Sequence, residues 1–569
     1  MFWQEFESRF NFIAVDYLVY TYEVVSNINQ SYPLPILIGS ILIIVTIIQF
    51  LFEKRRYFQK SFRGNTVLKD RVVLSSVFSS VILIFALGIN NSFAEKSTNR
   101  YQNELAKAGI YSFFSAFRNN ELNYDAFYKR LDNKSAFEVV RRQLKNPSSY
   151  FESDSFSIGR KIADSGQSIN PNVIMITIES FSADFMTRFG NREGLTPVLD
   201  SLAEKSILFT NMYATGTRTV RGMEALSVAI PPTPGNSIVR RQHNEQLTTI
   251  GSIFRDKRYN TGFFYGGDGY FDNMNQYFGN NGYTVTDRKR SGIIAEQFAA
   301  ERHPIPDSLV NFENAWGICD EDLYDAVIRD ADAQMAQGKA FYDFVMTTSN
   351  HRPYTYPAGR IDIPSGTGRS GAVKYTDYAI GRFFEKIRSK PWYKNTIIIL
   401  VADHCASSAG KNEIDVSKYH IPAMVVNMPM PPTAIDQLCS QIDLYPTLFS
   451  MFNWNYQSNL YGQDVLSPEY VPRAFLGTYQ KLAYLQHDSV VILSPQQKVE
   501  SFKYSFASNE QKPIHLPSDN PVVMEAVANY QTAYYLFKNG GLKEHPSLAD
   551  TARQAGTTGL QYKVSKAGN

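Results

Sequence analysis

Cysteine is scarce in this chain of 569 residues, which contains only Cys319, Cys405 and Cys439. An odd number at wide spacing excludes a disulfide framework, and none has the spacing of zinc ligands. The net charge is only +3, so we expect no nucleic-acid partner. Internal repeats and long low-complexity tracts are also lacking. The remaining possibility is a large globular chain, long enough for more than one domain.

Charge is absent from two apolar runs near the N-terminus, residues 36–52 and 72–89. Each has the length of a membrane-spanning helix, the alternative being a buried hairpin of core helices. The loop between them is strongly basic, which places it in the cytoplasm by the positive-inside rule. We therefore expect a multi-pass protein of the cytoplasmic (inner) membrane with an extracytoplasmic main domain. The aromatic-rich segment 1–32 is expected to lie along the outer membrane surface, completing a membrane region 1–92.

The rest of the chain divides into three parts by pattern. Residues 93–168 are polar and rich in helix formers, which predicts a helical linker. Residues 169–475 alternate short apolar, β-branched runs with helical stretches, as is typical of an α/β core. Residues 476–569 are predicted to form a smaller C-terminal subdomain of short strands, with a closing helix near 520–538.

Five unbroken apolar runs in the core predict strands that are buried on both faces, and hence a parallel sheet covered by helices. They are residues 173–178, 262–265, 341–347, 396–401 and 421–426.

Four of these runs are followed by side chains with metal-binding or catalytic chemistry. They are Glu179, Asp268, His351 and the adjacent pair Asp403 and His404. Ligands of open parallel sheets bind at the carboxyl ends of the strands, so these side chains should converge. Carboxylates with imidazole suit Mn²⁺, Mg²⁺ or Zn²⁺, and residue type alone does not distinguish these ions.

A nucleophile is available in the segment 214–222, which combines glycines, hydroxyls and two arginines before a helical stretch. Thr219 would lie at the helix N-terminus, where backbone N–H groups favour an anion. A bound metal would make its hydroxyl a competent nucleophile. Arg218 and Arg221 are candidate contacts to a phosphate group.

Each of these residues also has a purely structural explanation when it is taken alone. Glu179 is equally a capping carboxylate, Thr219 a helix N-cap, Asp268 a turn residue and His351 a loop histidine. The pair at 403–404 is harder to explain structurally, because a charged pair after a buried strand costs stability without a partner. Their convergence at one sheet edge favours a functional site.

Seven motifs make the chain resemble the lipoteichoic acid synthase and phosphoglycerol transferase family of the alkaline phosphatase/sulfatase superfamily. They occur in the family's order, over about residues 172–465: NVIMITIESFS (172–182), TPVLDSLAEKSILFTNMYATGTRTVRGMEA (196–225), FFYGGDGYFDNM (263–274), WGICDEDLYD (316–325), TTSNHRPYTYP (347–357), VADHCASS (401–408) and QIDLYPTLFSMFN (441–453).

The resemblance implies a fold and a chemistry. The fold would be alkaline phosphatase-like, with a mixed, mainly parallel sheet between helices. Glu179, Asp403 and His404 would bind one divalent ion, usually Mn²⁺ in this branch, with Thr219 as both ligand and nucleophile. The reaction would move glycerol phosphate from phosphatidylglycerol to a glycan or polyglycerolphosphate acceptor through a threonine-linked intermediate.

The resemblance also assigns substrate contacts and has limits. His351 matches a residue that contacts the donor phosphate or stabilises the leaving group, and Asp268 matches a contact to the glycerol hydroxyls. Gly266 stands where the Gram-positive synthases have a histidine, and their downstream Trp-x-Arg is not seen. The acceptor and the donor headgroup therefore stay open. The family carries several membrane helices where this chain shows two, so we expect a shortened N-terminus.

Other functions predict features that this sequence lacks. A sulfatase needs a Cys or Ser in a Cys/Ser-x-Pro-x-Arg segment, whereas 219–221 reads Thr-Val-Arg. Phosphoethanolamine transferases normally have disulfides and more metal-binding histidines. A phosphodiesterase-type hydrolase stays open, since water can replace the acceptor. A non-enzymatic scaffold would be expected to have lost ligands, yet all four expected metal-site residues are present.

Overall fold

The computed structural model describes residues 2–3, 7–16, 18, 21–64, 66–88, 91–97, 99–118, 122–152, 154–289, 300–407 and 410–544. The predicted end of the second apolar run, at residue 89, and the last part of the C-terminal subdomain, 545–569, lie outside these residues.

The strands, in chain order, are β1 (Ser149–Phe151), β2 (Arg160–Ile162), β3 (Asn172–Ile178), β4 (Ile207–Tyr213), β5 (Asn260–Tyr265), β6 (Thr284–Asp287), β7 (Arg302–Pro304), β8 (Glu313–Asn314), β9 (Gly317–Ile318), β10 (Phe341–Met346), β11 (Thr396–Ala402), β12 (His420–Val426), β13 (Thr433–Ile435), β14 (Cys439–Ser440), β15 (Tyr456–Ser458), β16 (Arg473–Gly477), β17 (Leu482–Gln486), β18 (Ser489–Ser494), β19 (Lys498–Ser505) and β20 (Glu510–Ile514).

The α-helices span Phe12–Asp16, Thr21–Ser31, Leu34–Lys54, Tyr57–Phe62, Leu68–Gly88, Arg100–Ala106, Gly109–Arg118, Tyr124–Phe127, Asn133–Leu144, Pro197–Ala203, Thr219–Val228, Ile250–Asp256, Met274–Asn280, Asp320–Ala336, Arg369–Ile387, Leu444–Met451 and Pro521–Lys538.

The helix Leu34–Lys54 carries the first predicted membrane span. Within the described residues it is the one helix that is both long and apolar enough to cross a bilayer, with 21 residues and none of them buried. The second predicted run forms the helix Leu68–Gly88, which also exposes apolar side chains such as Leu74 and Phe78. Its role as a second span stays a prediction.

A mixed, mainly parallel sheet lies at the centre of the main domain, as predicted. Its strand order is β13-β4-β12-β11-β3-β10-β5-β6-β7, with β14 beside β4. The three central strands β11, β3 and β10 run parallel and are buried at every residue. Burial on both faces explains their uninterrupted apolar sequences.

Two features of this sheet were not predicted. Strand β12 runs antiparallel to both β11 and β4, so β4 is parallel to the central strands. We did not identify β4 as a strand, although its first three residues, Ile207 to Phe209, are apolar and buried. Strand β4 matters because its carboxyl end leads directly into the segment that precedes Thr219.

The remaining elements pack around this sheet. Strands β16 to β20 form a separate antiparallel sheet that, with the helix Pro521–Lys538, matches the predicted C-terminal pattern. The region 93–168 is not wholly helical, because β1 and β2 pair with each other and β2 pairs with β15. The helix Asn133–Leu144 packs on Pro521–Lys538. The domain boundaries stay a prediction.

Candidate active site

Two neighbouring strands deliver the first carboxylates. Strands β3 and β11 pair in register, with Ile178 beside Ala402, so the residues that follow them, Glu179 and Asp403, emerge side by side. Both are buried, at 4% and 0% exposure. Ser180, between them, has a positive φ of 50° and donates its backbone N–H to Asp403 Oδ1 at 2.8 Å. A positive φ is uncommon for a non-glycine residue, and here it places the Ser180 N–H where its hydrogen bond joins the two strand ends.

Glu179, Asp403 and His404 form a cluster whose ligand atoms all lie within 4.8 Å of one another. His404 Nδ1 lies 2.7 Å from the carbonyl oxygen of Cys405. A carbonyl only accepts, so Nδ1 carries the proton and Nε2 presents a lone pair. The Nε2 atom lies 3.4 Å from Asp403 Oδ2. Within the described residues, Asp403 Oδ2 makes no hydrogen bond. Two acceptors in this arrangement fit a shared cation.

Burial sets the protonation of this cluster in the absence of a cation. Burial raises the pKa of Asp403 to about 7. Burial and then the charge of Asp403 raise the pKa of Glu179, whereas burial lowers the pKa of His404. The two carboxylate shifts disfavour the charged forms that a divalent ion would stabilise, because buried charge is costly without a counter-charge, whereas the shift of His404 favours the neutral imidazole that can bind such an ion. The cluster is therefore chemically matched to a divalent metal, with ligand types that suit Mn²⁺, Mg²⁺ or Zn²⁺.

Thr219 stands beside this cluster. It is the first residue of the helix Thr219–Val228, so its hydroxyl lies at the helix N-terminus as predicted. The hydroxyl donates to Glu179 Oε2 at 3.2 Å. The structure thus brings together the four residues predicted as the metal site, Glu179, Thr219, Asp403 and His404.

Three residues that the sequence did not indicate hold these loops in position. Gln441 donates to the carbonyls of residues 402 and 403, each at 2.8 Å, and its Oε1 accepts the backbone N–H of residue 215 at 3.0 Å. It therefore joins the loop after β11, which carries Asp403 and His404 (the metal loop), to the loop between β4 and Thr219 (the nucleophile loop). Asn350 donates to the carbonyls of Glu179 and Ser180, both at 3.0 Å. Gly222 packs directly on the Asp403 backbone, since a Cβ there would meet the Asp403 carbonyl oxygen at 2.4 Å.

His351 also reaches the site, on the loop that follows β10. Its ring packs against Trp316, with centroids 3.7 Å apart. Burial lowers the pKa of His351 to about 4, so the imidazole is neutral at pH 7 and acts as a hydrogen-bonding group instead of a cation. Trp316 was present in a recognised motif but was not predicted as a site residue.

The residues predicted as substrate contacts do not all line the cleft. Arg218 is the N-cap residue before Thr219 and lines the cleft. Arg221 is buried and points elsewhere, donating to Glu224 Oε1 at 2.8 Å and to the carbonyls of residues 233 and 235 at 2.6 and 2.5 Å. Asp268 is also buried, and its Oδ1 accepts from Arg302 at 3.0 Å. The roles of Arg221 and Asp268 as substrate contacts stay predictions. Their hydrogen bonds to other protein groups do not favour those roles.

The cleft above the cluster has a cavity volume of about 130 Å³. Its lining includes Glu179, Thr219, Trp316, His351, Arg369 and His404. Buried carboxylates, a hydroxyl at a helix N-terminus and guanidinium groups share this small space. The arrangement can hold a cation and an anionic group next to a nucleophile.

Comparison with known proteins gives a family match that includes all of these residues. The sulfatase family matches residues 171–454. Phosphoglycerol transferase I from Salmonella arizonae is 27% identical over 251 residues, and that from Escherichia fergusonii is 26% identical over 253. Each alignment covers 42% of this chain and 31% of the relative. The match therefore spans about a third of the length of these relatives.

Two solved structures share the fold. A protein in the alkaline phosphatase superfamily from Vibrio parahaemolyticus has a TM-score of 0.66 and 31% identity, covering 74% of this chain and all of that one. The lipoteichoic acid synthase LtaP from Listeria monocytogenes has a TM-score of 0.54 at 17% identity, covering 72% and 98% of the two chains. The predicted alkaline phosphatase-like architecture is confirmed.

Proposed function

The chain belongs to the alkaline phosphatase superfamily, and we propose that it is a metal-dependent phosphoglycerol transferase whose nucleophile is Thr219. The proposal rests on one observation. The Thr219 hydroxyl lies 3.2 Å from Glu179, and Glu179 belongs to a cluster of three ligands at the ends of adjacent strands. The transferase relatives described above support the choice of phosphoglycerol as the transferred group. Phosphatidylglycerol is the proposed donor, and a glycan or polyglycerolphosphate chain is the proposed acceptor.

In the first step Thr219 Oγ attacks the phosphorus of the donor. The bond from phosphorus to the diacylglycerol oxygen breaks, and phosphoglycerol stays on Thr219 as a phosphodiester. The threonine proton passes first toward Glu179 Oε2, the acceptor within reach, and ends on the diacylglycerol oxygen. A divalent ion held by Glu179, Asp403 and His404, with Mn²⁺ as the proposed identity, would lower the pKa of the threonine hydroxyl and offset phosphate charge.

In the second step a hydroxyl of the acceptor attacks the same phosphorus. The bond to Thr219 Oγ breaks, and the threonine recovers a proton. His351 suits this step, because Nδ1 faces the Arg352 carbonyl oxygen at 3.3 Å and so carries the hydrogen. Nε2 of the neutral ring is left to accept a hydrogen bond from the attacking hydroxyl and so orient it, and the proton of that hydroxyl ends on Thr219 Oγ.

The membrane setting of this chemistry is also part of the proposal. The helix Leu34–Lys54 would anchor the chain, and the second helix Leu68–Gly88 would complete a multi-pass region with the catalytic domain outside the cytoplasmic membrane. The segment before the first helix supports a site near the bilayer. Ile13 lines the cleft, and the Tyr32 hydroxyl accepts from Arg352 at 3.4 Å, next to His351.

The test is mass spectrometry of the full chain after incubation with Mn²⁺ and phosphatidylglycerol. We expect a phosphoglycerol adduct on Thr219, and we expect Thr219→Ala to abolish turnover because no other group replaces the nucleophile. Thr217→Ala, two residues away, serves as the matched control and should still form the adduct.

The outcomes separate the proposal from its alternatives. Turnover retained in Thr219→Ala would refute the nucleophile assignment. An adduct formed only from phosphatidylethanolamine would change the donor to the phosphoethanolamine class. Diacylglycerol release without transfer to any acceptor polymer would indicate a phosphodiesterase-type hydrolase.

A further inference from the structure

Arg369 lines the cleft beside Thr219 and His404 but belongs to none of the motifs discussed so far. It is the first residue of the helix Arg369–Ile387, and its guanidinium lies over the ring of Tyr354, 4.9 Å from the centroid. The Nη1 atom is buried and makes no hydrogen bond within the part of the chain that the structure describes. Leaving a charged donor unsatisfied costs free energy, so this geometry indicates an anionic ligand.

The electrostatics of the cleft support this interpretation. Arg369 lines the same cavity as His351 and His404. Arg221, by contrast, is committed to Glu224 and to two carbonyls. A cation at the carboxylate cluster and the guanidinium of Arg369 would be two positive centres in one cavity.

We propose that Arg369 binds a non-bridging phosphate oxygen of the donor phosphodiester and holds the phosphorus against Thr219. The inference rests on the proposed function and identifies how its site recognises the substrate. A guanidinium matches the geometry of phosphate oxygens and keeps its charge when partly desolvated. The cavity of about 130 Å³ has room for a phosphate group. The aromatic ring under the guanidinium restricts its movement and so limits the entropy lost on binding.

The experiment compares anion binding by Mn²⁺-loaded full-length protein and its variants. The probes are inorganic phosphate and a soluble short-chain phosphatidylglycerol, and calorimetry also gives the Mn²⁺ affinity. For Arg369→Gln we expect both anions to bind about 10- to 100-fold more weakly, the usual effect of losing a charge-assisted hydrogen bond. Mn²⁺ affinity should not change. Added guanidinium should partly restore anion binding to Arg369→Ala.

The matched control is Arg382→Gln on the same helix. Arg382 is exposed and pairs with Glu385 one helical turn away, so this variant should bind both anions as the wild type does. Unchanged anion affinity in Arg369→Gln would overturn the inference, as would weaker binding of inorganic phosphate alone. If both anions depend on Arg369 but no adduct forms on Thr219, the phosphoglycerol transfer mechanism fails while the anion site stands.

Discussion

At the scale of single residues, the site depends on unfavourable burial. Asp403 is fully buried and His404 nearly so, and each has a pKa displaced toward its neutral form. Such a pair weakens a protein that has no counter-charge, which is why it was the part of the predicted site that was hardest to explain structurally. A divalent cation would reverse the cost by stabilising the charged carboxylates and the neutral imidazole.

The raised pKa of Asp403 predicts how metal affinity depends on pH. Below about pH 7 a metal must displace the proton of this carboxyl, so the Mn²⁺ affinity should fall by about tenfold per pH unit below 7 and be flat above it. Calorimetry in two buffers of different ionisation enthalpy would measure the affinity and the released proton. Asp403→Asn should bind weakly and release no proton from this position.

The stability of the metal-free protein should change with pH in the opposite direction. The folded-state pKa of Asp403 lies above its ordinary value, so its stabilising contribution is complete below about pH 4 and is lost as pH rises to about 7. Urea unfolding of metal-free wild type and Asp403→Asn over this range isolates the contribution. A wild-type stability that rises relative to the variant between pH 4 and 7 would contradict the assigned pKa.

At the scale of elements, the backbone of the helix that begins at Thr219 packs directly against the backbone of the metal loop. The helix Thr219–Val228 approaches Asp403 at Gly222, where no side chain fits. The loop after β4 carries Thr215, whose backbone is joined through Gln441 to the metal loop. The distance from Thr219 to Glu179 is therefore determined by how closely two separate elements pack.

Gly222→Ala should disturb this approach more than it disturbs the fold. The added Cβ would lie 2.4 Å from the Asp403 carbonyl oxygen, and backbone atoms cannot move aside cheaply. We expect a loss of stability of about 1–3 kcal/mol, as is typical of overpacking, with a larger proportional loss of turnover and at least a tenfold loss of Mn²⁺ affinity. Calorimetry, turnover assays and thermal unfolding would measure these effects.

Gly39→Ala is the control for this substitution. Gly39 also lies inside a helix, Leu34–Lys54, but a Cβ there would have nothing within 4 Å. It should leave metal affinity and turnover unchanged. If Gly222→Ala keeps wild-type metal affinity, close helix packing does not determine the geometry of the site.

At the scale of the whole molecule, the exposed helix Leu34–Lys54 and the basic loop after it determine how the chain would be oriented in a membrane. The proposed orientation places the loop in the cytoplasm and the domain with Thr219 outside. The cleft and the segment before the membrane helix meet at Arg352 and Tyr32. This contact would keep the donor phosphate near the bilayer surface.

Single engineered cysteines test this orientation, because the three native cysteines are buried. In intact cells an impermeant maleimide should label Ser508→Cys, an exposed position in the C-terminal sheet region, and should not label Ser61→Cys in the basic loop. Lysed cells are the control, since both variants should then react. Labelling of Ser61→Cys in intact cells would contradict the assigned topology.

The sequence by itself determined strands β3 and β11 and the types of side chain that follow them, but it did not reveal β4. Buried strands have uninterrupted apolar sequences, so charged residues at their ends, such as Glu179 and Asp403, are recognisable locally. Only the tertiary structure decided which arginines, besides Arg218, line the cleft. Arg221 stands two residues from Thr219 and turns away to Glu224, whereas Arg369, 150 residues along the chain, points in. The direction of a long side chain depends on the partners that packing brings to it, and local sequence does not encode those partners.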